Sequence, residues 1–100
     1  MRAYTTLREL VKSAGSTLVE EHLHPESFGS AYAVFVGHAG AKFRVVWDGK
    51  EGCGFLQAES PNQEWKDTGP YVRERLGQSF SDLPEFLAMV ERLASSPSQG

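Results

Sequence analysis

One hundred residues, 40% of them hydrophobic, suffice for a single compact domain. One cysteine excludes an intrachain disulfide, and ten basic against thirteen acidic residues leave a net charge of −3, with no basic run to displace counterions from nucleic acid. A chain of this length buries roughly 60–70% of its unfolded surface, so a core forms without metals or disulfides.

The first segment, MRAYTTLREL, carries charges inside its apolar pattern and reads as neither a signal peptide nor a membrane anchor. A cytoplasmic protein without membrane association is the expectation. Tyr4, Leu7, Leu10, Val11 and Ala14 lie on one face of a helix predicted over 3–14, with Gly15 as its stop. Thr6 and Glu9 match a capping box.

Residues 16–24 alternate as an edge strand over 17–23, although Thr17 and Glu20 also fit the cap of a short helix ending before Pro25. The strand is preferred because a turn through Pro25–Gly29 leads directly into a second extended segment. From Ser30 to Glu59 the chain has no proline, and Val, Phe, Tyr and Trp fill the gaps between glycines 37, 40, 49 and 52. That pattern predicts three antiparallel strands at 30–37, 41–48 and 53–59.

Both hairpin registers can be derived from the same residues. A turn through His38-Ala39 sets Val36 opposite Ala41, Val34 opposite Phe43 and Tyr32 opposite Val45. A turn through Gly49–Gly52 sets Asp48 opposite Cys53, Val45 opposite Leu56, Phe43 opposite Ala58, and Trp47 over Gly54.

After Ser60 the composition turns polar. Pro61-Asn62 opens a loop carrying Trp65, and Pro70 with Tyr71, Val72, Arg75 and Leu76 suggests a helical turn ended by Gly77. Asp82, Pro84 and Glu85 then start a helix over 82–94 whose apolar stripe is Leu83, Phe86, Leu87, Val90 and Leu93. Ser95–Gly100 reads as a flexible tail after a single domain spanning 1–94.

The predicted fold is α+β: a three- or four-stranded antiparallel sheet with the N- and C-terminal helices packed on one face. Tyr32, Val34, Val36, Phe43, Val45, Trp47 and Leu56 are the expected core. The opposite face receives Ala31, Ala33, Phe35, Lys42, Arg44, Val46, Cys53, Phe55 and Gln57, an apolar centre with a polar margin, as interfaces often have. Either the segment carrying Trp65 and residues 70–77 folds over this face, or it is open to a protein partner or a second copy.

Other chemistry is weakly supported. His22 and His24 share one side of a strand, but His38, Cys53, Glu20 and Asp48 lack the spacing of further metal ligands, and a solvated histidine pair is the simpler reading. Cys53 lies between glycines, yet its neighbours Asp48 and Glu51 oppose the thiolate a nucleophile needs. The glycine-rich 49–54 stretch lacks phosphate-loop spacing, so no cofactor is expected.

The leading expectation is therefore a non-enzymatic protein-interaction module using Phe35, Arg44, Val46, Phe55, Gln57 and Trp65. By fold-level analogy alone, small acidic domains of this shape include secretion chaperones and immunity proteins. The alternative is a small ligand-binding or hydrolytic domain using His22, His24, Cys53 and Arg44.

Overall fold

The computed structural model describes residues 2–75 and 79–97. Helix α1 (Arg2–Ser13) precedes strands β1 (Thr17–His24), β2 (Ser30–Val36), β3 (Lys42–Asp48), β4 (Cys53–Glu59), β5 (Trp65–Arg75) and β6 (Ser79–Phe80), and helix α2 (Leu83–Ala94) ends the order. The strands lie in chain order and every neighbouring pair is antiparallel, so the sheet contains no crossover. The α+β class, the antiparallel sheet and the terminal helices are as predicted. The sheet, however, has six strands rather than three or four.

The extra width comes from the segment whose sequence suggests a loop and a helical turn. Residues 65–75 are strand instead, and Leu76 and Gly77 lie outside the described residues. In the β4–β5 ladder Leu56 faces Thr68 and Gly54 faces Val72, so Gly69, Pro70 and Tyr71 together oppose Phe55. Proline donates no ladder hydrogen bond and is tolerated at such a bulge. What looks like a chain break in the sequence is thus absorbed within one strand.

Both helices bury their stripes on the same side of the sheet. Tyr4, Leu7 and Val11 from α1 and Phe86, Val90 and Ala94 from α2 join Ala31, Ala33, Phe35, Phe43, Val45, Trp47, Leu56 and Val72 in one core. Because α1 begins at Arg2, Thr6 is interior to it. Its hydroxyl donates to the Arg2 carbonyl at 3.0 Å and is no cap. Asp82 does stand before α2, in the left-handed region at φ 54°, but its side chain makes no capping bond.

The two hairpins differ in how well their registers match expectation. In the β3–β4 ladder Asp48 faces Cys53, Val45 faces Leu56 and Trp47 faces Gly54, as predicted. A Cβ on Gly54 would approach Leu7 to 2.7 Å and Trp47 to 3.0 Å, so the glycine leaves the space these two side chains fill. In the β2–β3 ladder the register is displaced by one: Phe35 faces Phe43, Ala33 faces Val45 and Ala31 faces Trp47.

A one-residue slip reverses a strand. Ala31, Ala33 and Phe35 therefore lie beneath the helices, and Tyr32, Val34 and Val36 turn to the opposite face. Phe35, expected at the partner surface, is fully buried at 0% exposure. Of the three expected in the core, Tyr32 and Val36 are only half-buried, whereas Val34 is buried on the opposite face.

The displacement has a tertiary cause. The tip of the first hairpin docks on the end of α2, where the Ala39 amide donates to Ala94 at 3.1 Å and the Ala41 amide to Ser96 at 3.3 Å. Gly40 also bridges to Pro97. A Cβ on Gly37 would meet the Ala94 Cα at 2.4 Å, which makes glycine necessary at this crossing. Ser96 and Pro97, expected in a flexible tail, are thus held to the hairpin; residues 98–100 lie outside the described residues.

Candidate partner-binding face

The face turned away from the helices collects alternate residues from five strands. The ladders place His22 of β1 beside Tyr32 of β2, Tyr32 beside Val46 of β3, and Arg44 of β3 beside Gln57 of β4. Gln57 in turn faces Asp67 of β5. Since residues 65–75 extend the sheet edgewise as β5, they do not fold over this face, one of the two arrangements the sequence allows.

Arg44 is the centre. Its guanidinium carbon lies 4.7 Å from the Tyr32 ring centroid and 4.4 Å from that of Trp65, a cation–π contact on each. Arg44 Nε donates to Gln57 Oε1 at 2.7 Å. Gln57 Nε2 donates to Asp67 Oδ1 at 2.6 Å, and the Tyr71 hydroxyl donates to Asp67 Oδ2 at 3.1 Å. That last bond, with the charge of Asp67, pushes the Tyr71 hydroxyl above its usual pKa.

Aromatic rings extend the array at both ends. His22 stacks on Tyr32 at 4.6 Å, and Phe55 packs against Tyr71 at 5.1 Å. From β1 to β5 the side chains form one connected layer in which each holds the next. Rotamers held in this way lose little freedom when a partner lands on them.

Five of the six residues nominated from the sequence lie here: Arg44, Val46, Phe55, Gln57 and Trp65. The sixth, Phe35, is in the core. Tyr32, Asp67 and Tyr71 belong to the face without being nominated by the sequence. Tyr32 is hidden by the one-residue slip, and the other two sit on a strand interrupted by Gly69-Pro70. Their only local signal is Asp67 and Tyr71 flanking that dipeptide, which reads equally as a turn.

Of the residues of the alternative chemistry, His22 and Arg44 both pack on the Tyr32 ring, and the other two lie apart from them. His22 pairs with Glu20 at 3.5 Å and His24 with Glu26 at 3.6 Å, while Cys53 lies three strands away, roughly 14 Å at ordinary strand spacing. Among the described residues no group of three or more His, Cys, Asp or Glu is placed to hold a metal ion. Cys53 is buried, and burial raises its thiol pKa; Asp48 and Glu51 add to that rise while Arg73 opposes it.

On the helix side, the edge of the sheet carries a separate polar cluster. Tyr4 and Arg8 of α1 both donate to Glu21 Oε2, at 2.5 and 2.8 Å. The Tyr4 hydroxyl bond, then that of Arg8, hold the Glu21 carboxyl below its ordinary pKa. This cluster fastens α1 to β1 and faces away from the open surface.

Among the described residues no helix is long and apolar enough to cross a membrane. In comparisons with known proteins, no family model, no curated protein and no solved structure matches this chain.

Proposed function

We propose that this chain is a non-enzymatic interaction module that binds a protein partner through Tyr32, Arg44, Val46, Phe55, Gln57, Trp65 and Tyr71. The observation that carries this reading is the Arg44 guanidinium held between the Tyr32 and Trp65 rings on the sheet face turned away from both helices. Tyr, Trp and Arg are the residues that dominate measured binding energies, and here all three are contiguous and pre-ordered.

An antiparallel sheet wet on one side ordinarily alternates apolar with polar residues. This one instead turns Tyr32, Val46, Phe55 and Trp65 toward solvent. A partner-masking protein of the secretion-chaperone or immunity-protein kind is the analogy of shape that fits, and it is an analogy only.

Affinity capture tests the surface, with wild type beside Phe55→Arg and Trp65→Ser. The expected result is a partner recovered by wild type and lost from both variants; equal recovery by all three rejects this face. Sedimentation over a concentration series tells a foreign partner from a second copy. A dimer abolished by Phe55→Arg would assign the face to self-association.

A further inference from the structure

The open face contains a cation that has no counter-ion among the described residues. Among the described residues the ion pairs join Arg8 to Glu9 and Glu21, and the three histidines lie near Glu20, Glu26 and Glu91; none of these contacts involves Arg44. The nearest acid in its network, Asp67, is reached only through Gln57 and has both oxygens engaged, one by the Gln57 amide and one by the Tyr71 hydroxyl. Gln57 itself spends its carbonyl on Arg44 Nε. Rings flank the guanidinium, its Nε edge is satisfied, and its two terminal amino groups are left without a partner among the described residues.

A half-buried guanidinium has already lost part of its hydration, so an anion that meets it gains more than one meeting a fully solvated arginine. The fork of terminal amino groups matches a carboxylate, which accepts two parallel hydrogen bonds. We infer that the partner presents an Asp or Glu side chain to the terminal amino groups of Arg44, between the Tyr32 and Trp65 rings. The inference rests on the reading of this face as a protein-binding surface and supplies the chemistry of its anchor.

The chain's overall charge is −3, so long-range attraction does not bring an acidic partner in. Recognition is local, made at contact by the fork and by the apolar contacts of the rings beside it.

A random-peptide phage library panned on the full chain tests this. Enriched peptides are expected to carry Asp or Glu beside apolar residues. Exchanging that acid for its amide should weaken binding to wild type by about tenfold and leave binding to Arg44→Gln nearly unchanged. Arg44→Lys keeps the charge without the fork and is expected to recover only part of the difference, and circular dichroism checks that both variants are folded.

Carboxylate dependence that persists in Arg44→Gln overturns the inference, as does a set of binders indifferent to the amide exchange. If those indifferent binders are still lost from Phe55→Arg, the face remains a binding surface and only the anchor is wrong. If Phe55→Arg binds them as wild type does, the proposed surface falls as well.

Discussion

Phe35 and Phe43 face each other across β2 and β3 with ring centroids 5.8 Å apart and planes 17° from parallel, both at 0% exposure. This pair ties β2 to the helix-facing side and, by alternation, sends Tyr32 and Val34 to the other. The Arg44 site exists because of that orientation.

Parity along β3 has a direct mutational signature. Val45 is fully buried between Ala33 and Leu56, whereas Val46 is half-exposed beside Tyr32 and Phe55. Val45→Asp is expected to cost at least about 3 kcal/mol in urea unfolding and Val46→Asp about 1 kcal/mol. Phe35→Ala should cost about 3–5 kcal/mol as a core truncation. A Phe35→Ala loss as small as that of an exposed residue would place β2 in the opposite orientation.

The crossing of the first hairpin over α2 has no room for a methyl group. With the added Cβ 2.4 Å from the Ala94 Cα, backbone must shift. Gly37→Ala should lower stability by about 1–3 kcal/mol and speed hydrogen exchange at the Ala39 and Ala41 amides, which lose their acceptors on Ala94 and Ser96. Unchanged exchange at both amides would contradict the docked tip.

Acid should loosen α1 from β1. The Glu21 carboxyl titrates below its ordinary value of 4.5 because Tyr4, then Arg8, donate to its charged form. A depressed carboxyl pKa stabilises the fold above the ordinary range, and that contribution disappears as pH falls through the depressed value. Glu21→Gln is therefore expected to cost about 1 kcal/mol at neutral pH and nothing once the wild-type carboxyl is protonated. Paired unfolding curves from neutral to pH 3 read the difference; a gap that stays constant on acidification would rule out the cluster as its source.

The Arg44 stack is open to a double-mutant cycle. Arg44→Met, Trp65→Ala and the double variant should yield a coupling of about 0.5–2 kcal/mol, with neither single change unfolding the chain. A coupling near zero would mean that the rings and the guanidinium are only adjacent.

Burial and the raised pKa make Cys53 a poor nucleophile. Its reaction with a disulfide reagent should run on the order of a hundredfold slower in the folded protein than in denaturant, since local opening must come first. Equal rates would put the thiol at the surface.

The parts of this architecture that can be read from residue order are those stabilised by near neighbours. The stripes of α1 and α2 are set by helical spacing, and each needs only some apolar surface to meet. The second hairpin carries its own instructions: Asp48 Oδ1 accepts the Lys50 and Glu51 amides at 3.0 and 3.1 Å, and Gly52 supplies the φ of 68° its turn requires. That is why Trp47 over Gly54, and the exposure of Arg44, Val46, Phe55 and Gln57, can be deduced.

The first hairpin closes on backbone bonds alone, the Gly40 amide donating to the Gly37 carbonyl and the Gly37 amide to the Ala41 carbonyl, both at 3.0 Å. Ala31, Ala33 and Phe35 are apolar, and so are Tyr32, Val34 and Val36, so alternation along β2 cannot say which set is inside. The choice falls to the docking of residues 37–41 on the end of α2, a segment remote in the chain. β5 is hidden for a related reason, because Gly69-Pro70 ends a strand by every local rule and persists here only through pairing with β4 on both sides of the bulge.

Local chemistry thus decided the helices, the central ladder and most of the open face, since those depend on periodicity and turn residues a few positions apart. Long-range packing decided the orientation of β2, the reach of the sheet through β5, and the meeting of Tyr32 and Trp65 around one arginine. Those outcomes turn on which distant backbone groups satisfy each other's hydrogen bonds, and that is settled only when the chain has closed on itself.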